Sequence, residues 1–164
     1  CDIIETIESW EIALEAKVPT ILALTRQSLS TFKRNSYKEN LVSRGAYIIK
    51  NFNKYNATIF ASGSEVEIAM EAAKELEAFN INLRVVSTPS IELFEMQTEE
   101  YKKEVVGEMP VFAIEAGVIN GWEKYIKNEN FIGMNSFGKS GPYKDVYKYF
   151  KITAENIVER VKKI

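Results

Sequence analysis

The chain has 164 residues, 46% of them hydrophobic and 27% charged, with a formal net charge of -2. That is long enough for one good core, shows none of the basic excess of a nucleic-acid or anionic-membrane surface, and contains no apolar run near the roughly 18 residues that a membrane span needs. One cysteine and no histidine exclude an internal disulfide framework, disfavour zinc, and remove the commonest general base and catalytic-triad base.

The chain begins at Cys1 without an initiator methionine, which is expected of a processed chain or a piece of a longer protein. No signal-peptide pattern follows, and a single cysteine fits a reducing compartment. A lipidated Cys1 is disfavoured, because the next residues read as a packed helix and not as a tether. In DIIETIESWEIALEA (2–16), Ile3, Ile7, Trp10 and Leu14 recur at helical spacing and form one apolar stripe. Glu5, Glu8, Glu11 and Glu15 lie off that stripe, and Asp2 followed by Glu5 has the spacing of a capping box. After a short turn, residues 20–25 are apolar or β-compatible and read as a buried strand, which ends in Arg26 and Gln27. SLSTFKRNSYKENLVSRG (28–45) is polar, basic and without periodicity, as a connection is.

From there the pattern becomes regular. Strands are expected at 46–51, 57–63, 82–88 and 110–117, and a strand with its exit loop at 131–138. A helix over 64–80 places Val66, Ala69, Ala73 and Leu76 on its inner face, with Ser64 and Glu67 spaced as a capping box. Shorter helices are expected at 90–97, 99–106 and 121–127, and terminal ones at 142–150 and 153–164, with Pro142 suited to a first turn and Thr153 to a cap. Alternating strands and helices predict an α/β fold with a mainly parallel sheet covered on both faces. There is no internal repeat and no low-complexity segment.

Few residues stand out chemically. Ligands of open α/β sheets gather beyond the carboxyl ends of the strands, and Arg26 would present a planar fork to a phosphate or carboxylate there. A surface arginine at a strand exit is the plainer alternative. ASGSEVE (61–67) puts a glycine between a strand and a helix N-terminus, but it lacks the G-x-G-x-x-G pattern and the Walker lysine, and Glu65 and Glu67 would repel a phosphate. Glu115 ends a strand, where it could serve as an acid or base or pair with a cation. SFGKSGPY, with Lys139, reads as exposed turn chemistry. Tyr143, Tyr147 and Phe150 read as a helix face and not as a base-stacking platform. The residues alone describe a globular α/β domain with one anion-facing arginine and no self-contained catalytic constellation.

Six stretches, in register over nearly the whole chain, resemble the C-terminal part of transketolases. CDIIETIESWEIAL resembles the family's acidic-Asn-Glu-Thr…Trp segment, ILALTRQSL its Leu-Ser-Arg-Gln-x-Leu strand exit, and ASGSEVEIAMEAAKEL its Thr-Gly-Ser-Glu-Val segment. LRVVSTPSIELFEMQTEEYKKEV, IEAGVINGWEKYI and IGMNSFGKSGPYKDVYKYFKIT resemble its RVVSMPS, EAG…GWxKY and IGxDxFGxSAP blocks. The chain departs from the pattern at Thr25 (usually Ser), Asn135 (usually Asp), Gly141 (usually Ala), and at Ile3 and Ile4, where a small residue and Asn are usual. The Arg-Gln exit and the GW…Y and SFGKSGP blocks favour transketolase over deoxyxylulose phosphate synthase and dehydrogenase β-subunits. Dihydroxyacetone synthase shares this portion.

The resemblance implies a three-layer α/β domain with a five-stranded, mostly parallel sheet. It assigns residues 1–30 to the last helix and strand of the middle, pyrimidine-binding domain, 31–44 to a linker, and 45–164 to the C-terminal domain. It implies that Arg26 binds the phosphate of a sugar-phosphate substrate. It further implies a cytoplasmic, homodimeric enzyme of the pentose phosphate pathway that transfers a two-carbon ketol unit with thiamine diphosphate and Mg²⁺ or Ca²⁺. The family's catalytic, cofactor-binding and metal-binding residues match no position in this chain, so the chain alone is expected to be inactive, with no membrane or nucleic-acid partner. The alternative is a free-standing regulatory or assembly module derived from such a domain.

Overall fold

A computed structural model describes residues 1–34 and 39–164; the middle of the expected linker, 35–38, lies outside the described residues. Helix α1 spans Ile3–Glu15. Strands β1 (Tyr47–Lys50), β2 (Ala57–Ala61), β3 (Leu83–Ser87), β4 (Val111–Ile114) and β5 (Phe131–Ile132) form one sheet in the order β1-β3-β2-β4-β5. Only β1, at one edge, runs antiparallel to its neighbour. Helices α2 (Glu65–Glu77), α3 (Ile91–Glu95), α4 (Glu99–Val106), α5 (Tyr143–Tyr149) and α6 (Ala154–Val161) complete the order.

The three central strands are buried on both faces, as a parallel sheet requires. Ile59, Ala61, Val85, Phe112 and Ile114 pack under α2 and α6, which supply Val66, Ala69, Ala72, Ala73, Leu76, Ile157 and Val161. Phe60, Val86 and Ala113 point the other way, against Phe94 of α3, Val105 of α4, and Trp122. Each layer follows from period 2 in the strands meeting period 3.6 in the helices. One glycine is required by close approach: Gly45 has φ +74°, and a Cβ there would overlap the backbone of Phe94 and Ser90, which closes α3 onto the start of β1.

The apolar stripe of α1 faces outward, and Trp10 keeps 51% of its surface exposed, while Glu5 and Glu8 are buried. Three local expectations fail, each for a physical reason. Residues 20–25 form no strand. Their backbone has no neighbouring strand to pair with among the described residues, and Ile21 is 92% exposed. The Ser64–Glu67 capping box does not form. Ser64 is itself helical (φ -65°, ψ -25°), its hydroxyl meets Glu65, and Glu67 accepts from Ser30 instead. Residues 121–127 make successive turns and not a helix, because Gly121 enters at φ +90° and the buried Trp122 and Ile126 anchor the segment to the core. The Asp2 and Thr153 caps do form, accepting from the backbone N–H of Glu5 and Asn156.

Candidate functional site

Arg26 lies on an exposed, unpaired stretch that runs from the end of α1 toward residue 30. No hydrogen bond or ion pair holds its guanidinium among the described residues, so the fork is free to meet an anion. The neighbouring side chains are tied to one another: the Thr25 hydroxyl contacts the Gln27 side-chain oxygen. Thr25 and Gln27, on either side of Arg26, line a cavity of about 500 Å³ together with Glu5 and Ser9 of α1 and with Ser62, Gly63 and Pro89 beyond β2 and β3. The stretch that carries Arg26 thus borders, with α1 and the carboxyl ends of β2 and β3, a space large enough for a small molecule.

The stretch is held at its far end by charge. Asp2, Glu5 and Glu8 form one face of α1, turned toward the sheet. The Arg34 guanidinium donates to Glu8 at 2.6 Å, lies 3.7 Å from Asp2, and donates to the Tyr47 hydroxyl at 2.8 Å. Phe32 donates its backbone N–H to Asp2 at 3.1 Å. Glu5 accepts from Tyr47 Oη at 2.8 Å and from Ser87 Oγ at 2.6 Å, and also meets the Cys1 amino group. Burial, then the adjoining Glu5 charge, push the Tyr47 phenol well above its ordinary range, so it stays a donor. Buried carboxylates need such partners, and this set explains why α1 turns its acidic face inward. Its signal in the sequence is the three-residue spacing of Asp2, Glu5 and Glu8, and nothing in the sequence marks Arg34, Tyr47 and Ser87 as their partners.

A second polar group occupies the carboxyl ends of β2 and β4. Ser62 Oγ donates to the Glu115 carboxylate at 2.6 Å. Burial raises the Glu115 carboxyl to about 7, against the Ser62 hydrogen bond and with help from the nearby Glu65 charge. Glu65 is capped by Ser64 Oγ at 2.9 Å and by the Tyr147 hydroxyl. Burial, then Glu65, push that phenol upward. Tyr147 is therefore a helix-face residue, with its ring edge-on to Tyr143 at 6.0 Å. Lys139 lies 4.9 Å over the Tyr149 ring, and Phe137 beside it is 97% exposed, as turn chemistry predicts. ASGSEVE offers an anion two acidic side chains, and its first helical N–H groups already bond Ser62 and Gly63. Among the described residues, no three acidic, histidine or cysteine side chains converge as a metal set.

The comparisons agree with this architecture. Residues 45–153 match the family model described as the transketolase-like TK C-terminal domain. The chain is 42% identical over 163 residues to a transketolase of Cereibacter sphaeroides, covering 98% of this chain and 25% of that protein. It is 45% identical over 161 residues to a transketolase of Sinorhizobium medicae, covering 96% and 23%. The crystal structure of a Pichia stipitis transketolase in complex with sedoheptulose-7-phosphate superposes with a TM-score of 0.88 at 37% identity, over 98% of this chain and 23% of that one. Transketolase from Campylobacter jejuni superposes at 0.87 with 34% identity, over 98% and 25%. The chain thus spans about a quarter of the length of these relatives. With the sheet order, both helical layers and the sequence of six motif blocks in agreement, the chain belongs to the transketolase family.

Proposed function

We propose that this chain is the C-terminal portion of an enzyme that transfers a two-carbon ketol unit between sugar phosphates, and that Arg26 binds the phosphate of the substrate. The observation that carries the reading is Arg26 itself: a guanidinium without a protein partner among the described residues, within a Thr-Arg-Gln stretch that resembles the family's strand exit. The Pichia stipitis relative has been solved with sedoheptulose-7-phosphate, a ligand with the phosphate that a free guanidinium would hold bidentately. Thiamine diphosphate and its Mg²⁺ or Ca²⁺ would be held by residues outside this chain, and the cofactor would supply the carbanion chemistry. The contributions of this chain are binding and orientation. Residues 1–30 would complete the middle domain, with the outward stripe of α1 covered by that domain, and the whole enzyme would be a homodimer. The chain alone would turn over no ketose phosphate.

Steady-state kinetics of the full-length enzyme test the arginine. Arg26→Ala removes a charge-assisted hydrogen bond worth about 1.5–3 kcal/mol, or roughly 10- to 150-fold in KM. That loss is expected with phosphorylated sugars and not with an unphosphorylated acceptor. Equal losses on both would remove the assignment.

A further inference from the structure

The loop that follows β4 carries a pair of residues that the sugar-phosphate reading does not use. Asn120 and Gly121 are the chain's one Asn-Gly pair, and both are exposed. Trp122 donates its backbone N–H to the Ile119 carbonyl at 2.9 Å, so the pair forms the centre of a tight turn. Gly121 enters that turn at φ +90°, a conformation that glycine adopts without strain.

An asparagine side-chain amide is open to attack by the backbone nitrogen of the next residue, which closes a succinimide ring. The two groups are already joined, so the attack is intramolecular. Two conditions govern it: the amide must be free to turn, and the next residue must let its nitrogen approach. Asn40, Asn51, Asn56, Asn82, Asn130 and Asn156 fail the first, since each side chain is held by a hydrogen bond. Asn53, Asn80, Asn128 and Asn135 fail the second, since the residue after each brings a Cβ against the nitrogen. Asn120 alone among the described residues meets both. Its side chain makes no hydrogen bond, and its neighbour has the freest backbone.

The nitrogen also has a base beside it. Gly121 donates its N–H to Glu123 Oε2 at 2.8 Å, within the reach that proton abstraction needs. Glu123 is exposed and pairs with no lysine or arginine among the described residues. An N–H held by a main-chain carbonyl has no acceptor for its proton, whereas one held by a carboxylate does.

We propose that Asn120 is a site of spontaneous deamidation, with Glu123 as the base. The Gly121 nitrogen bonds to Asn120 Cγ as its proton passes to the Glu123 carboxylate. The Cγ–Nδ2 bond then breaks, the proton moves from Glu123 to the departing nitrogen, and ammonia leaves. Water opens the succinimide at either carbonyl and gives aspartate or isoaspartate at position 120. The step is independent of Arg26 and of the sugar-phosphate reading. Isoaspartate lengthens the main chain by one carbon inside the turn that seats Trp122, which is 3% exposed and packs edge-on to Phe60 at 6.1 Å. Its formation therefore loosens Trp122.

Peptide mapping by mass spectrometry tests the site in the native chain, incubated at pH 8 below its unfolding transition. The wild type is expected to lose the amide at position 120 before any other asparagine, and isoaspartyl methyltransferase labelling to find isoaspartate there. Asn120→Gln, whose longer side chain does not close the same ring, is expected to lose none at that position over the same time. Glu123→Gln keeps an acceptor for the Gly121 N–H but takes up no proton, and is expected to slow conversion about tenfold or more. In unfolding concentrations of urea the wild type and Glu123→Gln should convert at equal rates, because nothing then holds residue 123 to Gly121. As isoaspartate accumulates, Trp122 emission should shift to the red, while Trp10, already half-exposed, changes little. Retention of the Asn120 amide, earlier loss at another asparagine, an unchanged rate in native Glu123→Gln, or the same rate ratio in urea as in the native protein would each overturn the proposal. Emission that stays fixed at full conversion would overturn the loosening of Trp122.

Discussion

Glu115 is a carboxyl that folding makes harder to ionise. Its folded pKa of about 7 lies above the ordinary 4.5 because burial disfavours the charge, Glu65 repels it, and the Ser62 hydroxyl and Ala116 N–H compensate only in part. The Tyr147 hydroxyl, which faces the same region from α5, is committed to Glu65. A raised carboxyl pKa stabilises the fold fully below the unfolded value and loses that contribution as pH rises through the folded one. Stability is therefore expected to fall between about pH 4.5 and pH 7, by at most about 3 kcal/mol. Urea titrations of the wild type and of Glu115→Gln at pH 5 and pH 8 measure this. The variant should lose most of the pH difference, and an equal difference in both proteins would assign the slope to other groups. Tyr47 is the opposite case, a phenol held neutral so that it can donate to Glu5 while it accepts from Arg34. Tyr47→Phe leaves Glu5 with one hydroxyl donor fewer inside the protein, and a loss of about 1–3 kcal/mol in the same titration is expected. A loss within about 0.5 kcal/mol, as for an ordinary surface change, would mean that Ser87 and Cys1 satisfy the carboxylate without it.

At the scale of elements, what was legible in the sequence depended on whether one neighbour was enough to decide the structure. Helix α2 was readable because Val66, Ala69, Ala73 and Leu76 meet a sheet that those same residues predict. The Thr153 cap was readable because it is satisfied within four residues. Helix α1 was readable as a helix, but which of its sides this chain buries was not. Hydrophobic period marks a face, but burial went to Asp2, Glu5 and Glu8, whose partners Arg34, Tyr47 and Ser87 lie far along the chain. The stretch 20–25 carries strand residues without a strand beside it, so its composition described a preference that only a neighbour could realise. The bond from Ser62 to Glu115 was invisible until pairing register brought the exits of β2 and β4 together. The exposed stripe of α1 yields its own prediction. Ile7→Gln with Trp10→Gln should leave the stability of this chain within about 0.5 kcal/mol, because both side chains already face water. The same pair should destabilise the full-length protein by about 2–4 kcal/mol if a middle domain covers the stripe. Calorimetry of both proteins distinguishes the cases, and equal, small effects would mean that nothing packs there.

The whole molecule has its core in one part and its charge clasp at the junction with another. Apart from Cys1 and Phe32, every residue of the two core clusters lies between Ala46 and Val161. Residues 1–34 contribute mainly polar contacts, through Asp2, Glu5, Glu8 and Arg34, to a sheet whose strands, layers and crossovers are complete without them. A chain of residues 39–164 should therefore fold by itself. Tyr47 Oη and Ser87 Oγ would exchange Glu5 for water, which replaces their hydrogen bonds at modest net cost. A single cooperative urea transition is expected, less stable than that of the full chain by about 1–3 kcal/mol, the range of one or two buried charge-assisted hydrogen bonds. Heteronuclear NMR of the shortened chain would show Phe60, Val86 and Ala113 in nearly unchanged environments, since every residue of the cluster around them lies beyond residue 45. A non-cooperative melt would show that the clasp is part of the folding unit, and that residues 1–34 are not separable from the sheet energetically.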